Sequence, residues 1–330
     1  MTLGFEPVLI QVGSVAVRPF GVFSLIGLSV GIWLTLRRAK QDGIPSAQVL
    51  RAVARAIPVG VLSAKVVHVL GWWDYYLMRP AEIWQLGISE LSLWGGLVGG
   101  GVVAAAVLRH DRGHRRRVLD CAARAVALAI AIAQVGAFLE GAGQGVPSDL
   151  PWATQYTSHL AATPDFGVPR HPAQVYDGLI AIGLFAVLTA LRPTLAAGLP
   201  TSLFLMVYGG ARVALGGVRL EPAFLFGLQI EQLLALGSIA VGAVIGLRTV
   251  RRMKVTLLSK HDCHLCEAAL AELRRLQGRY PHQLEVVDIT RDSTLQRQYG
   301  ERIPVVQVNG REYDAPLTRA VLERALSGHT

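Results

Sequence analysis

Apolar residues run along this chain in seven long blocks, roughly Phe20 to Leu36, Val53 to Leu70, Leu91 to Leu108, Leu119 to Phe138, Val175 to Leu191, Thr201 to Val218 and Gln229 to Leu247. A helix needs about 20 mostly apolar residues to cross the hydrocarbon core of a bilayer, and each block comes close to that length. The pattern therefore predicts a bundle of seven transmembrane helices. The polar connections between the blocks differ in charge. RRAK after the first block, RHDRGHRRR after the third, Arg192 after the fifth and RTVRRMK after the seventh fall on one side, whereas the opposite connections hold mainly Arg79, Arg170 and Arg219. Lys and Arg accumulate in cytoplasmic connections, so the N-terminus is expected outside and the C-terminus in the cytoplasm.

Near Met253 the pattern changes to short alternating and amphipathic segments. KVTLLS reads as a buried strand, CEAALAELRRLQGR as an amphipathic helix and QLEVVDI as a second strand. A short helix near Leu295 to Tyr299, strands PVVQV and REYDA around an Asn-Gly turn, and a last helix from about Pro316 to Leu326 complete the unit. The predicted organisation is a seven-helix membrane domain over residues 1–252 and a small α/β domain over 253–330. The second carries Cys263 and Cys266 as a CxxC between its first strand and first helix, the thioredoxin-like pattern.

Composition agrees with a membrane protein: of 330 residues, 52% are hydrophobic and only 17% charged. The net charge of +9 sits beside the apolar blocks, as membrane anchors do, and so argues against nucleic acid. The first residues lack a basic leader and a small-residue cleavage site, so the first span is expected to stay in place.

Ionisable groups inside apolar blocks are costly and each asks for a reason. Lys65 and Arg212 lie deep within theirs and predict an interior polar cavity suited to an anionic headgroup. Glu140 and Arg219 lie near the outer ends. Arg124 lies near a cytoplasmic end, where a side chain can snorkel to the interface. The glycines of LWGGLVGGG and YGGARVALGG predict close helix approach, or a path for lipid between helices.

Several stretches together resemble the prolipoprotein diacylglyceryl transferase family. HPAQVYDG is similar to its HPxQxYE-type motif, SLWGGLVGG to SFHGGLxG, and QVGAFLEGAGQGVPSDLPWA to GRxxNFxNxExxG followed by a TDLPWG-like run. YGGARVALGGVR is similar to YGxxRFxxExxR, and QLL occurs at Gln232 to Leu234 in the last block. The resemblance implies a bacterial inner-membrane enzyme that moves diacylglycerol from phosphatidylglycerol to the lipobox cysteine in the signal peptide of a prolipoprotein. The thiolate attacks a glycerol carbon and glycerol phosphate leaves, which calls for a thiol-activating base and cations around phosphate. It further implies His171 as the base, Tyr176 and Asp177 orienting it, and Arg212, Arg219, Lys65, Gln134 and Glu140 around the lipid. The sequence departs from the pattern at several places: Gln134 stands for an arginine, Ala137 and Glu140 for asparagines, Ala142 and Gly216 for glutamates, Trp94 for a histidine and Lys65 for an arginine. Two readings follow, transfer by a rearranged site, or a lipid- or lipoprotein-binding membrane protein working with the C-terminal module.

That module resembles glutaredoxins over residues 254–330, with Pro304 where they carry a cis-proline beside the active cysteine. The helix start after Cys263 favours a thiolate. Thiol exchange with a cytoplasmic partner is the leading reading, an inert relic the next, and a zinc site built from Cys263, Cys266, His261 and His264 the last. Neither a cofactor nor a bound metal is expected.

Overall fold

The computed structural model describes the chain except residues 1, 5, 13–14, 85–86, 88–89, 110–111, 192–194, 253, 281, 309 and 328–330, and the side chains of 12, 15, 112–113 and 250–252. Arg192, Met253, Asn309 and part of the basic run at 109–117 thus lie outside the described residues. Contacts divide the chain into two compact units, one of Met1–Thr189 with Thr201–Ala243, the other of Ala190–Pro200 with Val244–Thr330.

The first unit begins with β1 (Thr2–Leu3), which pairs in parallel with β4 (Gln155–Tyr156), and a hairpin of β2 (Ile10–Val12) and β3 (Val15–Val17). The apolar blocks become α1 (Pro19–Gln41), α2 (Ser46–Gly71), α4 (Leu93–Val107), α5 (Arg112–Glu140), α6 (Ala173–Ala190), α7 (Leu199–Gly216) and α8 (Ile230–Arg252), with the short α3 (Trp73–Met78) after α2. Six of them are long and apolar enough to cross a membrane. The third predicted block forms only the 15-residue α4, because Ser92 caps it by accepting a hydrogen bond from Gly95 N at 3.1 Å and Leu108 ends it. The part of the basic run from Arg112 onward, expected as a connection, is instead the first turns of α5.

Small residues let these helices pair closely. α1 packs along α5 and α2 along α4. A Cβ added to Gly95 would stand 2.7 Å from Ser63 O and 2.9 Å from Ala64 Cα, while one at Gly101 would meet nothing within 4 Å. The predicted close approach therefore holds along the LWGGLVGGG stretch as far as Gly100, where a Cβ would stand 3.3 Å from Ala56 O, and lapses at Gly101. A buried core of Trp94, Ala127, Leu184, Leu188, Phe204 and Tyr208 joins α4, α5, α6 and α7.

The second unit carries a four-stranded sheet in the order β6-β5-β7-β8, built from β5 (Lys254–Ser259), β6 (Gln283–Asp288), β7 (Val305–Val308) and β8 (Arg311–Tyr313). β5 and β6 are parallel, the other pairs antiparallel. Helices α9 (His264–Leu276), α10 (Ser293–Tyr299) and α11 (Arg319–Ser327) complete it. On α9 the buried residues are Cys266, Ala269, Leu273 and Leu276, one helical face at spacings of three and four, and they pack with Val255, Leu257, Val306 and Leu322. α11 starts at Arg319, later than the sequence pattern predicts, with Thr318 O receiving the first helical bond from Leu322 N at 3.0 Å.

His282 sits buried in this unit, its Nδ1 donating to Tyr280 O at 2.5 Å. Burial holds its pKa below the ordinary value, against the smaller effect of that bond. A histidine depressed in the folded state adds stability above its unfolded pKa of about 6.5, and that contribution is lost as pH falls. Exchange protection of the β5 and β7 amides should therefore drop on acidification from pH 7 to pH 5, and His282→Gln should flatten the drop; equal pH dependence in both proteins would refute the assignment. In the membrane unit, Gly95→Ala should destabilise by about 1–3 kcal/mol through overpacking, read as a lower melting temperature in detergent, with Gly101→Ala unchanged.

Candidate functional site

Asp177 lies one turn into α6, where Pro172 starts the helix by accepting Tyr176 N at 3.2 Å. The side chain is buried at 2% exposure, and an isolated buried carboxylate is strongly disfavoured. Three donors answer it. Gln134 Nε2 of α5 donates to Oδ2 at 2.8 Å, Arg219 Nη2 to the same oxygen at 2.7 Å, and Tyr208 of α7 to Oδ1 at 2.9 Å. The Tyr208 ring is stacked between Trp94, at 5.8 Å, and Phe204, at 5.5 Å. Trp94 thus holds the tyrosine that holds the carboxylate.

One turn beyond Tyr208, Arg212 is clamped by two acids. Its Nη2 donates to both oxygens of Glu221 at 2.6 and 2.8 Å, and Nε and Nη2 reach Glu231 of α8 at 3.1 and 2.6 Å. Gln229 Nε2 ties the intervening segment by donating to Gly216 O at 3.0 Å. The space beside Gly216 is filled from α8, since a Cβ there would stand 2.1 Å from Gln232 Nε2, which itself donates to Val213 O at 3.1 Å. Among the described residues, three buried polar atoms of this cluster have no partner: Arg212 Nη1, Arg219 Nε and Gln229 Oε1.

These groups line a cavity of about 410 Å³ at the ends of the helices away from the basic connections. Its polar wall is Gln134, Asp177, Arg212, Arg219, Glu221, Gln229 and Glu231, and His68 of α2 joins them. Phe20, Val67, Leu91, Leu93 and Ile230 supply the apolar side. Ala137 and Ala142, where the motif comparison expects asparagine and glutamate, also line it, so the small side chains leave room rather than polar groups.

The other expected site residues lie elsewhere. Lys65 pairs with Glu90 at 2.7 Å and stands over the Tyr76 ring at 5.3 Å. Glu140 accepts Phe20 N at 3.0 Å and pairs with Arg18 at 3.5 Å, capping the start of α1. His171 Nδ1 lies 3.3 Å from the Tyr176 hydroxyl, which accepts from Trp152 Nε1 at 2.8 Å. Neither His171, Tyr176, Lys65 nor Glu140 is in the cavity lining, and Asp177 is held by Gln134, Tyr208 and Arg219 instead of orienting His171. Sequence reasoning missed His68, Tyr208, Glu221, Gln229 and Glu231. A signal was present for three of them: Glu221 and Glu231 are the only acids between Asp177 and Asp262, and His68 is the only histidine before His110.

In the second unit Cys263 caps α9, its Sγ accepting Cys266 N at 3.2 Å, and is joined to Cys266 in a disulfide. Cys263 is partly exposed and Cys266 buried. Pairing of Leu258 with Val305 puts Pro304, after a cis peptide bond, at the sheet end from which the CxxC segment leaves β5.

A family model for prolipoprotein diacylglyceryl transferase matches residues 7–248. The chain belongs to the prolipoprotein diacylglyceryl transferase family. A second model, for a glutaredoxin-like domain, matches residues 254–327. Among the relatives of this transferase-family chain, a protein of Bordetella parapertussis is 32% identical over 74% of this chain and 96% of its own. Proteins of Dehalococcoides mccartyi and Streptococcus sanguinis are each 29% identical over 76% of this chain, and over 96% and 97% of their own. All three are named phosphatidylglycerol–prolipoprotein diacylglyceryl transferase. With this membership and its apolar helices, the chain is a multi-pass membrane protein whose last part is a small α/β domain.

Asp177→Ala should destabilise this transferase-family protein by about 1–3 kcal/mol, because it removes the hydrogen-bonded partner of Arg219 and leaves it with Glu221 at 3.8 Å. Asp177→Ala/Arg219→Met should recover part of the loss in thermal unfolding. A double variant no more stable than the single one would show that the ion pair is not what holds this end of the bundle.

Proposed function

We propose that this chain transfers the diacylglyceryl group of phosphatidylglycerol to the lipobox cysteine of prolipoproteins, at the outer face of a bacterial inner membrane. The observation that carries this reading is the pair Arg212 and Arg219, which line one cavity and each keep a buried guanidinium nitrogen without a partner. A guanidinium has five donors in a planar fork suited to phosphate, so a phosphodiester can be accepted at Arg212 Nη1 while Nη2 and Nε stay on the glutamates. The same donors meet the charge that grows on the leaving glycerol phosphate. The apolar wall of Phe20, Val67, Leu93 and Ile230 suits the acyl-bearing glycerol.

His171 and Tyr176, tied to Trp152, act in this reading as positioning residues that hold the 145–172 segment over the start of α6. Lys65 with Glu90 and Glu140 with Arg18 fix helix ends beside the cavity. The basic helix ends face the cytoplasm, the N-terminus lies outside, and the domains divide into residues 1–252 and 253–330. The second domain exchanges electrons with a cytoplasmic thiol partner through Cys263, the more exposed of the two cysteines.

Ala137 and Ala142 in the cavity lining favour the second reading, a protein that keeps the lipid without transferring it. Purified full-length protein given phosphatidylglycerol and a lipobox peptide should form the thioether product. Arg212→Gln and Arg219→Gln should each lower transfer at least about tenfold, the order of one lost charge-assisted hydrogen bond. Retention of phosphatidylglycerol with no product would replace transfer by binding.

A further inference from the structure

Transfer needs a group that takes the proton of the incoming thiol, since a free cysteine with a pKa of about 8.5 is mostly protonated at neutral pH. The family pattern places a histidine at position 94, but Trp94 stands there, 1% exposed, stacked on Tyr208 and outside the cavity lining. The carboxylates of the cavity are engaged, Asp177 by its three donors and Glu221 and Glu231 by Arg212. One titratable side chain of the lining remains. His68 has no hydrogen bond to its ring nitrogens among the described residues, and it faces the same cavity as Arg212 and Arg219.

The backbone explains how an imidazole comes to be there. α2 and the start of α4 touch directly: Ser92 N donates to Ala64 O at 3.1 Å, and a Cβ on Gly95 would meet Val67 Cβ at 2.8 Å. His68 is the next residue along α2 from Val67, the residue that Gly95 of α4 packs against. Its ring is held between Trp72, at 6.4 Å, and Tyr76, at 6.0 Å. Lys65 of its own helix, Glu90 of the connection after α3 and Glu231 of α8 are the charged groups that act on it.

We propose that His68, and not His171, which is outside the cavity lining, is the general base of this transferase. The inference rests on the transfer reading above. The lipobox thiol gives its proton to the His68 ring, and its sulfur forms a bond to the glycerol carbon. The carbon–oxygen bond to phosphate breaks, its electron pair stays on the leaving glycerol phosphate beside Arg212 and Arg219, and the imidazolium returns the proton to that phosphate.

The experiment compares the unaltered chain with His68→Gln and His68→Asn, each keeping one polar atom near a ring nitrogen. Transfer is measured in phosphatidylglycerol vesicles from pH 6 to pH 8, with retained phosphatidylglycerol as the sign of a folded site. A general base contributes roughly 10²- to 10⁴-fold, so both variants should hold lipid and lose at least about 100-fold in rate. Their residual rate should climb about tenfold per pH unit, following the fraction of thiolate in the peptide, while the unaltered chain levels off once the imidazole is neutral. Unaltered rates in either variant, or the same pH slope in all three proteins, overturn the role of His68 and leave the transfer reading standing. No product from the unaltered chain overturns both.

Discussion

The carboxylate of Asp177 is the point on which this end of the bundle depends. It is buried, and each of its three donors comes from a different part of the chain: Gln134 from α5, Tyr208 from α7, Arg219 from the segment between α7 and α8. In lipid no water can replace a missing donor, so the three segments must converge for the charge to be tolerated at all. Once they do, the rest of the site follows from helix geometry, since Arg212 lies four residues beyond Tyr208 and close to the start of α8. Fold and site are in this sense one problem, solved by a single buried anion.

The substitutions that separate this chain from its family's motifs look different at this level. Gly216 has lost a glutamate, yet Gln232 fills its place and Glu221 and Glu231 bring acids to Arg212 from neighbouring positions. Gln134 has lost an arginine's charge but keeps a donor on Asp177. Trp94 has lost a histidine and gained a stacking surface for Tyr208. At each of these positions the residue present makes a contact that shapes the site. Only Ala137 and Ala142 have no such replacement, and there the cavity is simply wider.

Much of the architecture was legible because lipid imposes a coarse, strong rule on the length of apolar helices. The apolar blocks, the change of pattern near residue 253 and the CxxC at the head of a helix all follow from local sequence. The motif residues Asp177, Arg212, Arg219 and Gln134 do meet at one cavity. What could not be read was pairing between segments distant in the chain: that Lys65 belongs to Glu90, that Glu140 caps α1 through Phe20 N, and that Asp177 turns toward α5 and α7 rather than to His171. The helical state of the residues before Leu119 was hidden for another reason, since a run of arginines carries no apolar period although each is a good helix former.

Glu221 sits on a segment that turns back on itself just beyond, where Phe224 N bonds Leu228 O at 2.8 Å and the Phe226 ring is 91% exposed. An arginine buried at the end of a helix bundle is never without counter-ions here, because two carboxylates accompany it from within the chain. In the proposed reaction a lipid phosphate is added at Arg212 Nη1 while both glutamates stay on Nη2 and Nε, and it departs from there as glycerol phosphate. The arrangement resembles a socket with one open contact: the fixed cation is neutralised before the lipid arrives and after its product leaves, and what turns over is the occupant of a single nitrogen.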